Sequence, residues 1–97
     1  MHQFDLKNRT AIITGGAQGL GLDMAKRFLK SGAKVAIWDI DEDKLKKAIK
    51  EIGNPNLLYN VVDVSNYDNV KETFTEIEKS LNIDILINNA GITGSTS

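Results

Sequence analysis

The sequence predicts an α/β fold, a doubly wound parallel sheet of which residues 1–97 supply about four strands with three helices between them. Three observations predict it. Apolar runs of strand length alternate with stretches in which apolar residues recur at helical spacing. The runs are apolar at consecutive positions, as strands covered on both faces are. A glycine-rich turn also joins the first run to the first helical stretch. Parallel strands need long crossovers, and right-handed crossovers put helices on both faces.

Taken in order, Thr10-Ala11-Ile12-Ile13-Thr14 is the first strand and runs into two glycines. The first helix is expected from Leu20 to Ser31, with Leu22, Ala25, Phe28 and Leu29 inward and Lys26, Arg27 and Lys30 outward. Gly32 is placed to form a left-handed cap at its end. The second strand, Lys34-Val35-Ala36-Ile37-Trp38, reaches Asp39. Asp41 can cap the second helix, whose apolar face is Leu45, Ala48, Ile49 and Ile52. The third strand is expected from Leu57 to Asp63. Ser65, with Asp68 three residues on, resembles a capping box for the third helix, on which Tyr67, Val70, Phe74, Ile77 and Leu81 share a stripe. The fourth strand is expected from Ile83 to Asn88. Its free edge should be exposed, which makes an isolated chain marginal, oligomeric or held by a partner.

Composition narrows the function. A chain of 97 residues, 41% hydrophobic and 26% charged, has the size and balance of one globular domain and not two. Twelve basic and thirteen acidic side chains leave a net charge of −1 with no basic block, so nucleic acid is not an expected partner. The cysteine-free sequence forms no disulfide or thiolate metal site and suits a reducing cytoplasm. No apolar run approaches the ~20 residues that span a bilayer, and Met1 to Lys7 lacks the pattern of a secretory leader. The expectation is a cytoplasmic chain with neither a membrane nor a metal.

In the usual strand order of such sheets, the fourth strand returns to the other side of the first, and the ligand binds between their carboxyl ends. The loop there reads Thr14-Gly15-Gly16-Ala17-Gln18-Gly19-Leu20-Gly21. Glycines permit positive φ and close backbone approach, so a diphosphate can reach the amides and positive end of the first helix. The bland alternative is a plain tight turn. The spacing departs from G-x-G-x-x-G, because Met24 stands where the third glycine would be. No Lys-Ser or Lys-Thr follows, so this is not a Walker loop either.

It does match T-G-x-x-x-G-x-G, and here the chain resembles the short-chain dehydrogenase/reductase family, with its Rossmann-type fold. The resemblance extends over the whole chain and implies cofactor contacts from Gly15, Gln18, Gly19, Leu20 and Gly21. Asp39, ending the second strand, can accept hydrogen bonds from the adenosine ribose hydroxyls and would repel a 2′-phosphate. Gln18 and Ile40 stand where NADP-dependent members often carry a basic residue; both are uncharged, so NAD is favoured over NADP. Asp63-Val64 looks like the family's adenine-binding pair, Asp63 accepting from the exocyclic amine and Val64 lining the ring. Asn88-Asn89-Ala90-Gly91 matches the N-N-A-G motif. The resemblance implies that Asn89, Ala90 and Gly91 pass against the cofactor ribose and brace the central sheet.

Members of the family transfer hydride between nicotinamide and an alcohol or carbonyl, using a serine and a Y-x-x-x-K pair that follow the N-N-A-G motif. Only Ile92 to Ser97 follow it here, so no catalytic residue is assigned, and the chain is expected to be the NAD-binding front of a longer domain. Tyr67 to Lys71 does read Y-x-x-x-K with Ser65 just before, but it lies after the third strand, and a core or capping role is expected for Tyr67. Ser95 and Ser97 lie too near the motif to serve, and His2 is terminal. A homo-oligomer and a small alcohol or ketone substrate are what the resemblance implies for the parent protein. A noncatalytic NAD-binding module and a structural fragment remain as alternatives.

Overall fold

The strands pair because their apolar residues fall on both faces, and the helices between them cover those faces unequally. In the computed structural model, which describes residues 6–89, the order is β1 (Thr10–Thr14), α1 (Gly19–Lys30), β2 (Lys34–Asp39), α2 (Glu42–Ile52), β3 (Leu57–Val61), α3 (Tyr67–Glu78) and β4 (Ile85–Ile87). All pairings are parallel and the strand order is β3-β2-β1-β4. The fourth strand thus returns to the far side of the first, as the alternation predicts. Ile12 lies opposite Ala36 on one side and Leu86 on the other.

Alternate strand residues feed two separate cores. Ile13, Val35, Ile37 and Leu57 face α1 and α2, where Ala25, Leu29, Leu45 and Ala48 are buried against them. Ile12, Ala36, Trp38 and Val62 face the other way and meet Val70, Phe74 and Ile77 of α3, none of them buried, together with Ile83 ahead of β4. Beside them β4 is an edge strand in this sheet, and Leu86 is 56% exposed there.

The two outer strands are shorter than their apolar runs suggest. The third stops at Val61: Val62 N still donates to Asp39 O, at 2.9 Å, but the next amide, Asp63 N, turns away to the Asn69 side chain. The fourth starts at Ile85: Asp84 N donates to Thr10 O, but Thr10 N is taken by the Asp84 carboxylate instead of a backbone carbonyl. The first helix ends as expected, with Gly32 at φ +93° after Ser31. Asp41 caps α2, its carboxylate accepting from Lys44 N at 3.1 Å. Two expectations about α3 are corrected. Its cap is Asn66, which accepts from Asn69 N, because the Ser65 hydroxyl is taken by the Asp63 carboxylate. Tyr67 opens the helix but is 74% exposed, so it belongs neither to the apolar stripe nor to the cap.

Among the described residues, no helix is long and apolar enough to cross a membrane, and no group of three or more His, Cys, Asp or Glu could hold a metal ion.

Candidate functional site

Every strand delivers its carboxyl end to the same rim of a parallel sheet, so the turns that follow β1, β2, β3 and β4 lie along that rim. The first is the glycine turn. Gly15 and Gly19 adopt φ of +64° and +59°, a region that costs a side-chain-bearing residue about 1 kcal/mol or more. Gly21 is constrained by space instead. A Cβ there would collide with the Gly15 carbonyl oxygen and come within 2.7 Å of Asn89 Nδ2.

That packing arises because Asn89, 6% exposed at the end of β4, donates from Nδ2 to Gly15 O at 3.1 Å. Beside it Thr14 Oγ1 donates toward Asn88 Oδ1 and Ile87 O, at 3.2 and 3.3 Å. The end of β4 is therefore tied to the turn after β1, across the point where the strand order reverses. Gly16 N reaches Trp38 O on the other side at 3.2 Å, which holds the turn against β2.

What this turn does not do is cap its helix. Gln18 is the N-cap of α1 in extended backbone, yet its side chain makes no capping hydrogen bond, and no acidic residue lies in the first turn. The helices α2 and α3 are each capped by a side chain and carry acidic residues in the first turn. The amides that open α1 thus have no side-chain acceptor at the positive helix end. A cavity of about 270 Å³ beside the turn is bounded by Gln18, Gly19, Leu22 and Lys44. A cavity of about 510 Å³ lies at the opposite end of the sheet, among Lys7, Lys30, Gly32 and Lys34, away from these turns.

Asp39 ends β2, partly buried, with Oδ1 accepting from Asp41 N at 3.2 Å. Among the described residues that is its one side-chain bond, so Oδ2 faces no internal donor. In the turn after β3, Asp63 Oδ1 accepts from Ser65 Oγ at 2.6 Å and from Ser65 N at 2.9 Å. The Ser65 hydroxyl first, and its amide second, hold the Asp63 carboxyl below the usual carboxylate range, so the group is ionised at neutral pH.

Leu20, Ile40 and Val64 are exposed by 62%, 66% and 43%. Leu20 is the second residue of α1, while Ile40 and Val64 stand just past the ends of β2 and β3. Ala90 and Gly91 lie outside the described residues, as do His2, Ser95 and Ser97. Tyr67 and Lys71 are both exposed on α3, and no hydrogen bond joins them. Asn69 was not singled out by the sequence, although Asn66-x-x-Asn69 has the same spacing as the expected capping box. Its Oδ1 accepts from Asp63 N at 2.8 Å.

A glycine turn opening an uncapped helix, beside an acid at the end of the neighbouring strand, is the arrangement of a dinucleotide-binding sheet. The model of the short chain dehydrogenase family matches residues 9–97. The chain belongs to that family. A short chain dehydrogenase/reductase of Gibberella zeae is 44% identical over 89 residues, which is 90% of this chain and 33% of that protein. The crystal structure of a short chain dehydrogenase from Bacillus anthracis superposes with a TM-score of 0.82 at 40% identity, covering 89% of this chain and 36% of the other. A 3-ketoacyl-(acyl-carrier-protein) reductase from Brucella melitensis, crystallised with NADH, gives 0.74 at 36% identity over 84% of this chain and 33% of that one. The chain spans about a third of the length of the curated relatives it matches first.

Proposed function

We propose that residues 1–97 are the N-terminal part of a single Rossmann-type domain that binds NAD(H), within a cytoplasmic oxidoreductase acting on an alcohol or carbonyl substrate. The observation that carries this reading is the start of α1, which is uncapped by any side chain and includes Gly21, where a Cβ would collide with Gly15 and Asn89. That cradle fits a diphosphate, whose oxygens would accept from the amides of Gly19, Leu20 and Gly21. Asp39 would receive the adenosine ribose through Oδ2, and its charge disfavours a 2′-phosphate, so NAD is assigned over NADP. Gln18 and Ile40, uncharged beside it, offer no cation for that phosphate. Asp63 and Val64 would take the adenine. Asn89, Ala90 and Gly91 would pass against the cofactor ribose and brace the central sheet. The reductase of known structure with NADH bound is consistent with this assignment.

When bound, the nicotinamide supplies the hydride donor or acceptor, while the residues named act on the adenosine and diphosphate side. They hold and orient the cofactor, and no acid or base is assigned among them. A homo-oligomer is part of the same proposal, carried by the family resemblance alone.

Titrating the chain with NAD and with NADP tests the reading. NAD is expected to bind more tightly, and Asp39→Ala to narrow the difference by about tenfold, the scale of one charge-assisted hydrogen bond. A folded chain that binds neither dinucleotide would remove the proposal. An unchanged ratio in Asp39→Ala would remove the NAD assignment alone.

A further inference from the structure

The turn after β3 contains more polar machinery than a helix start requires. Asn66 already caps α3 by accepting from Asn69 N at 3.0 Å. The Asn69 side chain nevertheless reaches back past the cap to Asp63, accepting its amide at 2.8 Å. Asp63 O accepts from Asn66 N at 3.0 Å, and its carboxylate Oδ1 takes both the amide and the hydroxyl of Ser65. Thr73 Oγ1 donates to Asn69 O at 2.8 Å one turn further on. Asp63 is thus fixed at its amide, its carbonyl and one carboxylate oxygen. Only Oδ2 is left to point outward from a residue whose backbone cannot turn.

We propose that Asn69 is a positioning residue for base selectivity: by holding the Asp63 backbone, it aims the remaining carboxylate oxygen at the exocyclic amine of an adenine ring. The inference rests on the NAD-binding reading above and extends it to a residue two turns of backbone away from the ring. Ser65 shares the role from the other side. By keeping Oδ1 occupied and the carboxylate ionised, it leaves a fixed acceptor and no donor. A base presenting N–H groups is favoured by that arrangement, and one presenting a carbonyl oxygen at the same place is repelled.

The probe is a pair of dinucleotides that differ at that one substituent, NAD and nicotinamide hypoxanthine dinucleotide, in which a carbonyl replaces the amine. Binding of both is measured by titration calorimetry on the 97-residue chain. The wild-type chain is expected to prefer NAD by about tenfold, as for a hydrogen bond to a charged acceptor. Asn69→Leu should reduce the preference to about threefold or less. Asn69→Asp, whose Oδ1 can still accept from the Asp63 amide, should restore most of it. A general loss of structure would weaken both ligands together and leave their ratio alone, so the ratio separates positioning from stability. If Asn69→Leu does not fold, Ser65→Ala, which keeps the helix cap, should lower the preference on its own. An NAD preference that survives in Asn69→Leu, or in Ser65→Ala where that variant stands in, overturns the inference and leaves NAD binding intact. A wild-type chain that binds neither dinucleotide overturns both.

Discussion

The turn after β3 and the turn after β1 both carry the chain from a strand end into a helix, yet only the first satisfies the helix it opens. After β3, Asn66 caps α3 and Asn69 and Ser65 hold Asp63. After β1, Gln18 contributes no side-chain bond and the turn is held from outside, by Asn89 from β4 and by Trp38 from β2. One turn spends its polar side chains on itself and presents a single carboxylate. The other is built from glycines and presents a row of backbone amides. Where a chain leaves its own amides uncovered, and props the surrounding backbone with distant residues to do so, an external anion is the natural partner.

The comparison can be broken at four places. The largest effect is expected from Gly21→Ala, whose methyl collides with Gly15 and Asn89 and must push β4 away from the turn. It should cost about 1–3 kcal/mol in urea unfolding, as overpacking does, and weaken NAD by about tenfold or more. Normal stability with normal binding would show that the close approach is incidental. Gln18→Asp should convert the turn after β1 into the kind that follows β3. A carboxylate cap would stabilise the free chain by about 0.5–1 kcal/mol, and it would repel a diphosphate from the same amides. If stability and NAD affinity rise together, the uncapped helix end is not an anion seat. Asn66→Ala makes the opposite change and should cost about 1 kcal/mol, since the amide of Asn69 loses its acceptor. An unmoved denaturation midpoint would indicate that Asn69 alone holds the turn.

The smallest effect is on Asp63. Its folded-state carboxyl lies below the usual range, so the Ser65 hydroxyl adds stability that is present above that range and is lost as the pH falls through the Asp63 value. Ser65→Ala should raise the Asp63 value toward normal, as seen by carbon-detected NMR titration. The stability gap between the two proteins should close in acid. A gap that widens in acid would mean that Ser65 acts on something other than the ionised carboxylate.

Much of the architecture was legible in the sequence because it depends on period and punctuation. Thr10–Thr14 and Lys34–Asp39 stand where their apolar runs end, and Asp41 caps α2 because it offers an acceptor three residues before Lys44. The glycine turn could be read as a whole, since little besides an approaching backbone or ligand explains so many missing side chains in one place. The third and fourth strands came out shorter, and α3 was capped one residue late, for a common reason. In each case a polar side chain has two candidate partners, and periodicity does not say which it takes. Ser65 could cap a helix or bond Asp63, and only folding decides. Tyr67 looked apolar by spacing, but it sits in the first turn of a helix whose packed face starts at Val70. Asn69 could not be found from its own helix, because its partner Asp63 lies six residues back, outside helical reach.

Trp38 has a consequence of another kind. It is the sole tryptophan of the chain, 1% exposed, with its indole Nε1 donating to Asn60 Oδ1 at 3.1 Å. Its carbonyl holds Gly16, and the residue after it is Asp39. All the indole fluorescence of this chain therefore originates one residue from Asp39 and one hydrogen bond from the glycine turn. An optical signal from this chain reports the rim beside Asp39 and the glycine turn, and it does so without a label.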